Sequence, residues 1–150
     1  MCVNGLMKAI AALLVVLALS GCSAIGDVVS DASGGKVNVG NTVPADFPTG
    51  VPLTDGDVVA AASVVDDLTG ATVWNVTIST DSTADDIASE LKAAGFAGSD
   101  DVIANFPQAG ELVGDNLKGY TNGSVVVVVG MQALPTGGSV AAYAVTKLPG

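Results

Sequence analysis

Asn122-Gly123-Ser124-Val125-Val126-Val127-Val128-Val129-Gly130-Met131 decides how this chain folds. Asn-Gly is the strongest short signal for a hairpin turn, and β-branched residues favour the extended conformation that follows it. Successive side chains on a strand point to opposite faces, so five valines in a row place apolar groups on both sides of a sheet. Continuous apolar strands are normally buried on both faces, so each side of this strand needs a cover.

One cover is legible nearby. Thr72 to Thr80 alternates, with Trp74, Val76 and Ile78 on one side and Asn75, Thr77 and Ser79 on the other. Val58 to Val65 reads as its antiparallel partner, joined through the turn Asp66-Asp67-Leu68-Thr69-Gly70. A helix is predicted over Thr83 to Ala94. Thr83 and Asp86 have capping-box spacing, Asp85 and Asp86 suit the positive end of the dipole, and Ala84, Ile87, Ala88, Leu91 and Ala94 form an apolar stripe. Gly95 stands where a helix stops, with Phe96 placed to pack on the last turn. This helix and the Trp74 face can cover one side of the valine strand.

The other side has three candidate fates. It takes a lid from residues 97–115 or from the segment near Phe47, it docks another protein, or some of its valines are simply exposed. Within 97–115, Asp101-Val102-Ile103-Ala104-Asn105-Phe106 suits a short strand or one helical turn before Pro107. Asn116 to Tyr120 leads into the Asn122-Gly123 turn, and Pro135-Thr136-Gly137-Gly138 separates the valine strand from a last strand, Val140 to Thr146. The order β-β-α-(β)-β-β predicts an α+β domain, an antiparallel sheet of four to five strands with one helix on one face, over residues 46–150.

Ahead of it, residues 22–45 read as a flexible tether. Ser30-Asp31-Ala32-Ser33-Gly34-Gly35 has linker composition, and Pro44, Pro48 and Pro52 around Asp46-Phe47-Pro48 favour an extended chain running over a surface. About 25 extended residues at ~3.3 Å each would reach about 80 Å.

Composition narrows the function. The chain of 150 residues carries 5 Lys+Arg, all lysine, against 15 Asp+Glu, for a net charge of −10. Nucleic-acid binding needs clustered Lys and Arg to displace phosphate counterions, and there is no arginine here. The same deficit removes attraction to anionic lipid headgroups. With no histidine, His-based triads and the usual zinc and haem ligation are excluded. The two cysteines, Cys2 and Cys22, both lie near the start, so the domain is held by its core rather than by disulfides. Only 4% of residues are aromatic, which makes that core mostly Val, Ala, Leu and Ile.

At the N-terminus, Lys8 precedes the apolar run Ala9 to Leu19. As a helix, those eleven residues would extend about 16 Å, too short for a hydrocarbon core of about 30 Å but suited to the apolar region of a signal peptide. Residues 1–6 carry no positive charge, and a start at Met7 would supply a Met7-Lys8 leader. The run ends in Leu19-Ser20-Gly21-Cys22, which resembles the lipobox of bacterial lipoproteins. The resemblance covers roughly the first 22 residues. It implies a signal peptide of residues 1–21, a diacylglycerol thioether on the Cys22 sulfur, cleavage between Gly21 and Cys22, and often acylation of the new amine, for example with palmitate. Cleavage would leave 129 of the 150 residues, with four lysines against fifteen acids. Two or more acyl chains hold a protein stably on a membrane without spanning it. The expected location is thus the extracytoplasmic face of the cell membrane, with a protein of the cell envelope as the possible partner. Asp46-Phe47-Pro48, Val51-Pro52-Leu53, the helix ending Ala94-Gly95-Phe96 and the C-terminal hairpins are loosely similar to uncharacterised actinobacterial surface lipoproteins, a likeness over residues 44–147 that implies no activity.

Carboxylates are the remaining catalytic material. Asp66-Asp67, Asp85-Asp86 and Asp100-Asp101 are adjacent pairs, whereas hydrolysis by two carboxyls needs them facing across a cleft. Turns and helix caps account for these pairs better. Calcium takes loop oxygens, and Asp55-Gly56-Asp57 and Asp81-Ser82-Thr83-Ala84-Asp85 are oxygen-rich, but neither fits the EF-hand pattern. No serine lies in a nucleophile elbow and no glycine-rich phosphate loop follows a strand. The expectation is a lipid-anchored binding or scaffolding module that is not an enzyme and has no catalytic residues, metal ligands or cofactor. An acidic ligand-binding or calcium-binding lipoprotein is the alternative, ahead of a carboxylate hydrolase.

Overall fold

The computed structural model describes residues 37–65, 70–105 and 116–148. The expected signal peptide with Gly21 and Cys22, and residues 66–69 of the expected turn, lie outside them. Among the described residues the chain forms seven strands and two short helices. In chain order these are β1 (Val37–Gly40), β2 (Asp57–Val65), β3 (Thr72–Thr80), α1 (Ala84–Ala93), β4 (Ala97–Gly98), α2 (Asp100–Asn105), β5 (Lys118–Thr121), β6 (Val125–Ala133) and β7 (Ser139–Lys147). They build one antiparallel sheet in the order β1-β2-β3-β7-β6-β5-β4.

The antiparallel sheet with a helix against it agrees with the sequence. The count of four to five strands and one helix does not. The additional elements are β1, β4 and α2, of four, two and six residues. A strand of two to four residues is too short to display a period of two, and its partner sets its conformation. Val37–Gly40, inside the stretch read as tether, pairs with Ala61–Val64 of β2, so the sheet begins ahead of residue 46. The proline-rich stretch also differs from the extended path expected of it. Phe47 N donates to Pro44 O (3.0 Å) and Val51 N to Pro48 O (3.1 Å), making two successive turns. Fixed proline φ angles suit turns as well as extended chain, and burial of Phe47 and Val51 selects the turns.

All five valines are buried, shared between two cores. Val125, Val127 and Val129 join the larger cluster with Trp74, Val76, Ile78, Tyr143, Val145 and the α1 residues Ile87 and Leu91. Val126 and Val128 meet Val102 of α2 on the opposite face, flanked by Leu117 and Ala144. The lid therefore comes from within 97–115, as a helical turn rather than a strand, and Phe47 packs on the other side of the sheet. Gly119 of β5 makes this lid possible. A Cβ there would lie 2.6 Å from Ser99 O and 2.7 Å from Val102 Cβ, so only glycine lets α2 sit against the strand.

α1 follows its sequence signals closely. The Thr83–Asp86 capping box is complete at its N-terminus. At the other end Gly95 takes φ +91°, Phe96 N donates to Leu91 O and Gly95 N to Lys92 O (both 3.0 Å), the bond pattern of a Schellman stop. Ala84 and Ala94, at the ends of the expected stripe, are exposed. The valine hairpin turns one residue later than expected: Asn122 N donates to Val125 O (3.3 Å), leaving Gly123-Ser124 as the loop, with Gly123 at φ +89°.

Candidate functional site

The start of β2, the end of β3, the first turn of α1 and the β6–β7 loop meet at one end of the sheet. Antiparallel pairing requires the first three to converge, because Asp57 opposes Ser79 and α1 begins just after β3. Ser139 opposite Thr80 brings the glycine loop to the same end. Between them lies an open cleft of about 650 Å³, lined by Asp55, Gly56, Asp57, Ser79, Thr80, Asp81, Ser82, Asp86, Gly137 and Gly138.

Its base is a chain of hydroxyl hydrogen bonds. Thr80 Oγ1 donates to Asp55 O (2.6 Å) and accepts from Ser82 N (3.0 Å). Thr54 Oγ1 donates to Ser82 Oγ (2.8 Å), and Thr54 N donates to the Tyr143 hydroxyl (3.2 Å). Thr54 and Thr80 are buried, and these bonds satisfy polar groups that would otherwise be costly to remove from water. Burial pushes the Tyr143 phenol up to about 12, with the Thr54 N–H acting in the opposite sense. The chain also comes very close to itself at this base: a Cβ on Gly56 (φ +150°) would lie 2.1 Å from Ser79 O.

The cleft unites carboxylates that the sequence places in separate stretches. Asp55 and Asp57 come from one oxygen-rich segment and Asp81 from the other, while Asp85 does not line it. Asp86 does line it, but its Oδ2 accepts from Thr83 N and Thr83 Oγ1 (both 2.8 Å). The backbone N–H of Thr83, then its hydroxyl, hold the Asp86 carboxyl below the ordinary aspartate value. Asp86 is thus committed to capping α1. Among the described residues no group of three or more Asp, Glu, Cys or His is arranged to hold a metal ion. Asp100 and Asp101 are exposed on the first turn of α2, away from the cleft lining. Asp66 and Asp67 lie outside the described residues.

The hydroxyl network had no motif to announce it. Thr80 alone had a signal, because carrying the Trp74-Val76-Ile78 alternation two residues further marks it as inward-facing. Two buried side-chain atoms among the described residues lack a hydrogen-bond partner, Trp74 Nε1 and Glu90 Oε2. Among the described residues no helix is long and apolar enough to cross a membrane. Comparison with protein-family models, curated proteins and solved structures gives no match to this chain.

Proposed function

We propose that this chain is an exported lipoprotein, held through Cys22 at the extracytoplasmic face of the cell membrane. Its domain is a non-catalytic binding or scaffolding module of the cell envelope. Leu19-Ser20-Gly21-Cys22 supports the anchor. The observation that carries the binding role is the uneven cover of the sheet among the described residues. On the face opposite α1, Val102 of α2 packs over β6, whereas β2 and β3 present Ala60, Ala62, Asn75 and Thr77 with Val39 and Val64 exposed beside them. Small side chains make that surface flat, which suits a protein partner better than a small molecule.

Chemical crosslinking in intact native membranes tests this reading. The full chain should give one reproducible crosslinked product, lost in Thr77→Asp, a variant that keeps its melting temperature, and lost in the unanchored Cys22→Ala. The same product from a folded Thr77→Asp protein rules out this face as the docking surface. The mass of the mature chain tests the anchor separately, since diacylglycerol and acyl additions must begin at Cys22.

The cleft favours a second reading, a cationic ligand drawn weakly by the shared field of Asp55, Asp57 and Asp81 rather than held by a metal-ligand cluster. It requires calcium at millimolar concentration to raise the melting temperature, and Asp55→Asn or Asp81→Asn to remove that rise. An equal rise with magnesium reduces the effect to screening of negative charge.

A further inference from the structure

Residues 41–56 connect β1 to β2 as a strap across the larger core, and what lies beneath it is unusual. Trp74, in the middle of β3, is 5% exposed, yet its indole N–H has no partner. Buried donors are nearly always paired, and an indole ring in a core normally finds an acceptor for its one polar atom. Above it the strap contributes the Phe47 ring, edge-on at 6.4 Å and 77°, together with Val51. Neither side chain carries a lone-pair acceptor, and a T-shaped aromatic pair offers the indole N–H at most a weak contact with the ring face.

The strap is fastened at its ends rather than over the tryptophan. One end continues from β1, which is paired with β2. The other is pinned by Thr54 to Tyr143 and Ser82. Among the described residues, the hydrogen bonds of the middle portion are internal, from Phe47 N to Pro44 O and from Val51 N to Pro48 O. Its hold on the sheet is therefore apolar contact alone, and it can lift as a preformed double turn without breaking a hydrogen bond to the sheet.

We propose that this strap is a displaceable cover and that Trp74 marks the binding site beneath it. The site takes a neutral, mainly apolar ligand carrying one hydrogen-bond acceptor, such as an ester or amide carbonyl. The ligand replaces the apolar contacts of Phe47 and Val51 with its own and supplies the acceptor that Trp74 Nε1 lacks. The net charge of −10 repels an anionic acceptor, and the apolar surroundings of Phe47, Val51 and Trp74 leave a cation without a partner, so the ligand is neutral. The strap runs into the acidic cleft at Asp55 and Gly56, but Phe47, Val51 and Trp74 line neither that cleft nor the face opposite α1, so substitutions at Phe47 and Trp74 test this site apart from the other two.

Nile red, a neutral apolar dye with a carbonyl acceptor, is the probe. It is titrated into the full chain while the emission of Trp74, the protein's single tryptophan, is followed. The expected result is one saturable site with quenching of Trp74. Phe47→Ala, which weakens the cover, should tighten binding about tenfold. Trp74→Phe, read by dye emission, keeps an aromatic ring but removes the N–H and should weaken binding several-fold. Should Phe47→Ala fail to fold by circular dichroism, Phe47→Leu takes its place with the same expected direction. Absence of saturable binding, or binding indifferent to either substitution, overturns the proposal.

Discussion

Glycines at 56 and 95 both have positive φ, but their neighbourhoods differ. Around Gly95 there is open space, so Gly95→Ala meets only the left-handed backbone penalty, about 1 kcal/mol. Gly56→Ala must in addition push its methyl into Ser79 O and the Ile78 Cγ2 methyl, and should cost about 3 kcal/mol. Urea denaturation of the two variants checks this order, and equal losses would mean that the base of the cleft yields. Tyr143 supplies a pH test. Its folded value of about 12 stands above the ordinary 10.0, so full stability holds below pH 10 and declines as pH rises towards 12, where only the unfolded chain ionises readily. A spectrophotometric tyrosine titration should place one ionisation near pH 12, and Tyr143→Phe should flatten the alkaline loss of stability. At this scale, legibility followed sequence distance. The Thr83–Asp86 box spans three residues and was readable. The Thr54–Tyr143 bond spans 89, and nothing local foretells it.

Among the elements, α2 and β6 depend on each other. β6 has apolar side chains on both faces, and α2 is a six-residue helix too short to persist without tertiary packing. Gly119→Val removes the space that α2 occupies and should cost about 1–3 kcal/mol. Amide hydrogen exchange should show the protection lost first in residues 100–105 while β7 keeps its own. Uniform loss across the sheet would instead make α2 part of one cooperative unit. The valine run announced that both faces needed covering but could not name the cover. That depended on Val102, one apolar residue in a stretch without period. The same limit applied to β1 and β4, whose extended conformation comes from the strand beside each.

For the molecule as a whole, charge is the dominant electrostatic fact. Fifteen acids against five lysines repel one another, and the repulsion is relieved on unfolding. Raising monovalent salt from 0.01 to 0.15 M shortens the screening length from about 30 to about 8 Å, and the melting temperature should rise with it. A differential scanning calorimetry series in sodium chloride measures this rise, which also sets the baseline for any calcium effect at the cleft. A melting temperature indifferent to salt would mean that the acidic groups are too dispersed to repel.

Composition and local pattern by themselves determined that the chain has an antiparallel sheet with a capped helix, a core mostly of aliphatic residues, few basic residues and no arginine, and a lipobox-like sequence before the domain. These are properties of single residues or of neighbours a few positions apart, and local sterics, periodicity and charge suffice to read them. Tertiary structure alone decided that β7 lies beside β3, that α2 covers the second valine face, that Asp55, Asp57 and Asp81 share a cleft, and that Phe47 closes over an unpartnered indole. Each joins segments separated by far more than one helical or strand period. Their meeting is selected by the burial of both faces of β6 and by the pairing register of the whole sheet, which no short window of sequence contains.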